Sequence, residues 1–120
     1  MMQWKIYHNP RCSKSRQALQ ILRDRGIEPQ IIEYLKNPPS ATEVLELMGK
    51  VPGPTRDLLR TGDTAFRESG IDPDSADTAA LAEAVSREPR LLQRPIVVHG
   101  QRAVVARPPE ALQSLLEAES

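Results

Sequence analysis

The sequence is poor in cysteine, in aromatic residues and in net charge, and each shortage excludes a class of protein. The single cysteine, Cys12, cannot form an internal disulfide, which favours a reducing compartment, the cytoplasm. Lys plus Arg and Asp plus Glu each total 16, so no bulk charge draws the chain to nucleic acid or an acidic membrane. One tryptophan, two tyrosines and one phenylalanine are too few to build a base-stacking surface. We therefore expect no nucleic-acid partner.

Long apolar runs are missing as well. The longest, such as residues 96–98 and 103–106, fall far below the roughly 18 residues that a membrane span needs. Residues 1–5 lack the apolar stretch of a secretory signal. The length of 120 residues is usual for one domain. These features predict a soluble cytoplasmic protein with a single domain over residues 1–120 and no membrane contact.

The first third of the chain has the pattern of a β-α-β unit. A strand at residues 5–7 is followed by an Asn-Pro break, which ends a ladder. Apolar residues then recur at helical spacing over residues 13–25, where Ser13 or Ser15 can cap the helix. Residues 30–35 are rich in β-formers. Two strands joined by a helix in this way are expected to be parallel.

The middle of the chain is predicted to be helical. Residues 40–43 form a capping-box pattern, and a helix follows them to Gly49. Further helices are predicted at residues 54–59, 64–69 and 78–87, with almost no β-type alternation between them. The segment from roughly 40 to 90 is therefore expected to be a helical insertion.

The last third returns to strands and then ends in a helix. Apolar strands are predicted at residues 95–99 and 102–105, and the Gly-Gln pair between them suits a type II′ hairpin. A closing helix is predicted from about Pro108, with proline in its first turn. The order β-α-β, helices, β-β-α predicts an α/β fold with a mixed sheet, in the layout of a thioredoxin-like domain with an inserted helical subdomain.

Cys12 is the strongest candidate for a reactive group. A lone cysteine is commonly an inert, buried hydrophobe. This one follows a strand and precedes the first helical turn, so the unpaired N–H groups of that turn are expected to point toward its sulfur. Nearby positive charge lowers a thiol pKa from about 8.5 toward or below neutrality. The basic neighbours in sequence are His8, Arg11, Lys14 and Arg16.

Two familiar cysteine motifs are excluded by the residues that follow. A C-x-x-C dithiol site needs a cysteine where Ser15 stands, and a C-x5-R anion loop needs an arginine where Ala18 stands. Positive charge for an anionic substrate must therefore come from distant segments. The candidates are three arginines at the ends of predicted elements: Arg60, Arg94 and Arg107. Their separation in the sequence leaves open whether they converge or lie on the surface.

Five segments together resemble one family. In chain order they read HNPRCSKSR at 8–16, YLKNPP at 34–39, RDLLR at 56–60, RPIVV at 94–98 and ARP at 106–108. They closely resemble the ArsC family of glutaredoxin-linked arsenate reductases. Because the likeness runs in the same order over nearly the whole chain, it is more specific than any single motif.

The resemblance implies a thioredoxin-like fold with a helical insertion and assigns roles to the candidate residues. Cys12 would attack arsenate, and Pro95 would match the cis-proline beside the site. No bound metal or cofactor is implied; glutathione would serve as co-substrate and glutaredoxin as the partner that reduces the resulting mixed disulfide. Arginines 60, 94 and 107 would bind the oxyanion, and two further residues would keep the cysteine ionised: His8 and Ser15.

Two other functions remain open at this point. The same thiolate could serve a glutathione-dependent thiol oxidoreductase with another electrophile as substrate. The chain could also be a regulator of the Spx type, which shares the fold and binds RNA polymerase. Redox-switched regulators of that type carry two paired cysteines, and this chain has Ser15 where the second cysteine would stand.

Overall fold

The centre of the molecule is a four-stranded mixed sheet. The computed structural model describes residues 3–117, and within them the strand order is β2-β1-β3-β4. β1 pairs with β2 in parallel, as the β-α-β pattern predicted, whereas the pairs β1–β3 and β3–β4 are antiparallel. The strands are β1 (Trp4–His8), β2 (Gln30–Glu33), β3 (Ile96–His99) and β4 (Arg102–Val105).

Helices lie before, between and after the strands. The α-helices are α1 (Ser13–Asp24), α2 (Ala41–Lys50), α3 (Thr64–Ser69), α4 (Thr78–Arg87) and α5 (Leu112–Glu117), and the 3-10 turns are Thr55–Leu58, Pro89–Leu91 and Pro109–Ala111. Three of these helices, α2 to α4, separate β2 from β3 in the chain. Within residues 3–117, no helix has both the length and the apolar character to cross a membrane.

The sheet is covered on both faces because its two central strands are apolar on both sides. Successive side chains of a strand point to opposite faces. Ile6 of β1 accordingly packs in one cluster with residues of α1 and α5, such as Leu22 and Leu112. Its neighbour Tyr7 packs in a second cluster with residues of α2 and α4, such as Leu47. The result is three layers, with the sheet between two helical layers.

Several local predictions are confirmed. The bounds of α3 and α4 are those predicted. The capping box at the start of α2 is complete: Ser40 Oγ accepts from the Glu43 N–H at 3.1 Å, and the Glu43 carboxylate accepts from the Ser40 N–H at 3.4 Å. Gly100 has a φ of 62°, and no non-glycine residue among 3–117 has a positive φ, as the type II′ hairpin requires.

Three predicted boundaries are wrong. β2 ends at Glu33 rather than at residue 35, because the Glu33 carbonyl accepts from the N–H groups of Lys36 and Asn37, both at 2.9 Å, and closes a turn. The helix predicted at 54–59 is a single 3-10 turn, since the chain becomes extended again at Leu59. The closing helix begins at Leu112 rather than near Pro108, which is itself extended.

Candidate active site

The register of the sheet brings three distant segments to one edge. Tyr7 near the end of β1 pairs with Ile96 at the start of β3, and Ile96 pairs with Val105 at the end of β4. The chain after β1, the chain before β3 and the chain after β4 therefore leave the sheet side by side. These segments carry Cys12, Arg94 and Arg107, respectively. The Arg94–Pro95 peptide bond is cis, as the resemblance implied, and so is Arg107–Pro108.

Cys12 is the N-cap residue of α1. Its backbone is extended, with φ −93° and ψ 122°. Its N–H donates to the Asn9 carbonyl and its carbonyl accepts from the Arg16 N–H, both at 3.0 Å. The prediction that Ser13 or Ser15 caps the helix is thus wrong, because Cys12 occupies that position. The arrangement directs the first-turn N–H groups of α1 toward the sulfur.

The pKa of the Cys12 thiol lies below its ordinary value. Burial of the half-buried side chain raises this pKa, but the Ser15 N–H, the Arg94 guanidinium and the Lys14 N–H lower it by more. These groups stabilise the thiolate as hydrogen-bond donors, and Arg94 also acts as a positive charge. Lys14 acts through its backbone rather than through its ammonium group. The helix terminus and one distant arginine therefore contribute more than the basic neighbours in sequence.

Arg107 and Arg94 lie against the sulfur. Arg107 Nη1 is 3.9 Å from Cys12 Sγ and donates to the Arg94 carbonyl at 3.4 Å. The Arg94 side chain acts as a donor to both the thiol and the Tyr34 hydroxyl. Arg94 Nε is buried and has no hydrogen-bond partner among the described residues. The site therefore holds a buried N–H donor that is available to an oxygen ligand.

Arg60 reaches the same region from the segment after the first 3-10 turn. Its backbone N–H donates to the Leu91 carbonyl at 2.9 Å, which fixes this segment against the 3-10 turn Pro89–Leu91 that precedes β3. Its guanidinium, 24% exposed, lies 3.5 Å from the Asp63 carboxylate. Its positive charge acts on Tyr34, as that of Arg94 does. Two of the three arginines thus act on the sulfur, and the positive charge of the third acts on Tyr34.

Tyr34 is a site residue that the sequence reasoning missed. Tyr34 is 1% exposed, and this burial raises the pKa of its phenol. The positive charges of Arg94 and Arg60 lower that pKa, whereas the charge of Cys12 raises it further. The phenol therefore stays neutral and can accept from Arg94 while its own proton remains available. The signal was the position of a tyrosine at the end of a predicted strand, directly before the Leu-Lys-Asn-Pro-Pro turn.

His8 and Ser15, which stand on either side of Cys12 in the chain, contact each other through their side chains. Ser15 Oγ is fully buried and lies 2.6 Å from His8 Nδ1, and it accepts from the Asn9 N–H at 3.1 Å. Burial lowers the pKa of His8. The negative charge of Glu33 raises this pKa, and the positive charges of Arg23 and Arg16 lower it further. A neutral imidazole is therefore favoured. Both side chains hold the loop that carries Cys12, and Ser15 reaches the sulfur through its backbone N–H.

Comparison with known proteins identifies the family of the chain. Residues 7–115 match the sequence profile described as "ArsC family". The chain is 40% identical over 117 residues to "Arsenate reductase" of Neisseria meningitidis serogroup A, covering 97% of this chain and 100% of that protein. It is 39% identical over 116 residues to "Uncharacterized protein YfgD" of Escherichia coli K12, covering 95% and 97%. The structure of an arsenate reductase from Vibrio cholerae superposes with a TM-score of 0.85 at 39% identity, covering 93% of this chain and 97% of that one. This match over almost the whole length places the chain in the ArsC family.

Proposed function

We propose that this protein is an arsenate reductase in which Cys12 is the nucleophile. The observation that carries the proposal is the position of the sulfur, at the N-terminus of α1 and against the guanidinium groups of Arg94 and Arg107. The names of the relatives point to the same substrate. The reduced state of Cys12 that this chemistry needs fits the cytoplasm.

The arginines suit an arsenate dianion. A thiolate and arsenate repel each other, and charge-assisted hydrogen bonds from guanidinium groups offset that repulsion. Arg94 Nε offers a buried donor without a protein partner, and Arg107 lies next to the sulfur. Arg60 adds positive charge on the Tyr34 side. Together they would hold the oxyanion where the sulfur can reach arsenic, with the N–H groups of α1 as further donors.

The first step joins sulfur to arsenic. The Cys12 thiolate attacks As(V) of hydrogen arsenate and a sulfur–arsenic bond forms. The bond from arsenic to its hydroxyl oxygen breaks, and this oxygen leaves as water after taking one further proton from solvent. No electrons are transferred to arsenic in this step. Because the leaving oxygen develops negative charge, the Arg107 and Arg94 donors stabilise the transition state more than the ground state.

The second step needs a thiol from outside the chain. Cys12 is the single cysteine, so no internal thiol can release the arsenic. We propose that glutathione thiolate attacks the Cys12 sulfur, a disulfide forms, and the sulfur–arsenic electron pair passes to arsenic, which leaves as arsenite. The two sulfurs are oxidised and As(V) is reduced to As(III). Glutaredoxin would then reduce the Cys12–glutathione disulfide by thiol–disulfide exchange.

The test is arsenite production by the full chain with arsenate, glutathione and glutaredoxin. We expect turnover by the wild type and by Arg102→Ala, a control on the exposed end of β4, and none by Cys12→Ser. Mass spectrometry is expected to find glutathione on Cys12 only after arsenate is added. Absence of arsenite from the wild type would overturn the proposal. Arsenate-independent glutathionylation with turnover of another electrophile would instead assign the thiol oxidoreductase function.

A further inference from the structure

The guanidinium group of Arg60 has a carboxylate partner, unlike those of the other two arginines proposed to bind the oxyanion. Arg60 Nη1 donates to Asp63 Oδ2 at 3.5 Å. The two side chains are 24% and 34% exposed, and this ion pair is the least exposed of those formed within residues 3–117. No ion pair in the same part of the chain includes Arg94 or Arg107. A negative charge is thus held against one of the three arginines.

The Asp63 carboxylate does not cap a helix. Asp63 is the N-cap residue of α3, with an extended backbone at φ −86° and ψ 149°, but its side chain accepts no capping hydrogen bond from this helix, whose residues 64–69 are all described. Aspartate is common at N-caps because its carboxylate accepts such a bond. Asp77, the N-cap residue of α4, does accept one, from the Ala80 N–H at 3.0 Å. The Asp63 carboxylate therefore faces Arg60 instead of its own helix.

Backbone hydrogen bonds hold Asp63 and Arg60 in one turn. The Asp63 N–H donates to the Arg60 carbonyl at 3.0 Å, and the Arg60 N–H donates to the Leu91 carbonyl at 2.9 Å. The short Asp63 side chain is therefore fixed in place, whereas the longer Arg60 side chain has more rotatable bonds. A guanidinium group also has five N–H donors. Arg60 is thus the partner that can turn from the carboxylate toward a bound anion.

The positive charge of Arg60 acts within the site. It lowers the pKa of the Tyr34 phenol, as the charge of Arg94 does, and the charge of Cys12 acts on the same phenol. Asp63 lies against Arg60, so its negative charge opposes the attraction that Arg60 exerts on an anion. An anion beside Cys12 is therefore bound less tightly than the three arginines alone would bind it.

The Asp63 carboxylate is in excess before the first chemical step and balances the charge after it. Three guanidinium groups carry three positive charges, and the Cys12 thiolate with hydrogen arsenate carries three negative charges. When the sulfur–arsenic bond forms, the arsenic hydroxyl takes one proton from solvent and leaves as water, so one negative charge is lost. The two negative charges of the adduct and that of Asp63 then match the three guanidinium groups. Asp63 therefore disfavours the substrate complex relative to the adduct.

We propose that Asp63 is a positioning residue that holds the Arg60 guanidinium while the site is empty, gives it up to the oxyanion, and takes it back when the thiolate charge is consumed. The carboxylate thereby limits the affinity of the site for arsenate. The inference rests on the proposed function for the charge that is lost in the reaction. Its binding part applies to any tetrahedral oxyanion.

Anion binding to Asp63 variants tests the proposal. Sulfate and perchlorate, tetrahedral anions with two and one negative charges, are titrated into the reduced full chain at constant ionic strength and followed by NMR at Cys12. We expect Asp63→Asn and Asp63→Ala to lower the Kd for sulfate about two- to fivefold, the effect of a partly exposed ion pair. The Kd for perchlorate is expected to fall by less, because repulsion from Asp63 is proportional to the charge of the anion.

A matched control and the choice of two variants make the test specific. Glu68→Gln removes the same charge from an exposed position in α3 and is expected to leave the Kd for sulfate nearly unchanged. If Asp63 instead oriented Arg60 for the anion, Asp63→Ala would raise this Kd, and Asp63→Asn, which keeps an acceptor, would not lower it. Either result would overturn the proposal. A Kd for sulfate in Asp63→Asn equal to that in Glu68→Gln would overturn it as well.

Arsenate kinetics tests the same residue during turnover. We expect Asp63→Asn to lower the KM for arsenate about two- to fivefold without raising kcat, and a higher KM would contradict the inference. Sulfate binding requires no turnover, so tighter sulfate binding by Asp63→Asn supports the inference even if the wild type makes no arsenite. An unchanged Kd for sulfate in a protein that does reduce arsenate would instead overturn the inference and leave the proposed function standing.

Discussion

Arg107 Nη1 lies 3.9 Å from Cys12 Sγ, although 95 positions separate the two residues in the chain. The contact follows from two antiparallel pairings, which carry the end of β1 past the start of β3 to the end of β4. A second bond from Arg107 to the Arg94 carbonyl ties the two arginine segments together. Cys12 and the two arginines that we propose neutralise its substrate are therefore positioned by the same sheet.

Replacing Arg94 is expected to weaken arsenate binding. Arg94→Ala removes a positive charge and the buried Nε donor, and hydrogen bonds to charged groups contribute about 1.5–3 kcal/mol each. We expect the KM for arsenate to rise roughly 10- to 100-fold. Arg94→Lys keeps the charge but not the planar set of donors, and it should recover only part of the loss. Steady-state kinetics over a range of arsenate concentrations measures this, and an unchanged KM in Arg94→Ala would contradict the role.

Tyr34 is expected to act as a positioning residue. Tyr34→Phe keeps the buried ring but removes the hydroxyl that accepts from Arg94. Loss of one hydrogen bond of about 1 kcal/mol predicts an increase of about fivefold in the KM for arsenate. A merely structural role would lower the urea midpoint and leave the KM unchanged. Measuring both quantities on Tyr34→Phe distinguishes the two.

His8 is expected to make stability fall in mild acid. Burial holds its pKa below the usual 6.5, so the unfolded chain binds a proton at a pH where the folded chain does not. Stability is therefore highest above 6.5 and falls as the pH drops toward the folded-state pKa. Urea unfolding of the wild type and of His8→Gln at several pH values tests this. The wild type should lose stability on acidification more steeply than the variant, and equal slopes would contradict the assignment.

The capping box of α2 is expected to contribute to stability without affecting catalysis. Ser40→Ala removes the hydroxyl that accepts from the Glu43 N–H. Loss of such a cap costs about 1 kcal/mol. Thr42→Ala, exposed in the same helix, serves as the control. Urea unfolding is expected to show the loss for Ser40→Ala alone, with arsenate kinetics unchanged in both variants.

Local features of the fold were predictable because short-range patterns determine them. Local helical signals predicted the bounds of α3 and α4, and the residues at 40–43 predicted a capping box that the structure contains. Predictions failed where backbone hydrogen bonds a few residues apart decide the outcome. The Glu33 carbonyl closes a turn that ends β2, and the extended backbone of Pro108 moves the start of α5 further along the chain. Residue preferences alone predicted neither feature.

The geometry of the site depends on long-range pairing and was less predictable. Cys12 could be placed before a helix from its position in the chain, and that placement accounts for part of its lowered pKa. Contact between Cys12 and Arg107 required the strand order, which no local pattern contains. Tyr34 was missed for the same reason, since its link to Arg94 joins segments that are far apart in sequence.

The ionisation of Cys12 is the most direct test of the account. Thiolate absorbance in the ultraviolet is followed against pH for the wild type and Arg94→Ala, with Cys12→Ser as the blank. We expect the wild-type thiol to titrate below the ordinary value for cysteine, and the Arg94→Ala thiol to titrate higher, because the guanidinium stabilises the thiolate. A wild-type thiol that keeps its proton up to or beyond that ordinary value would contradict the account.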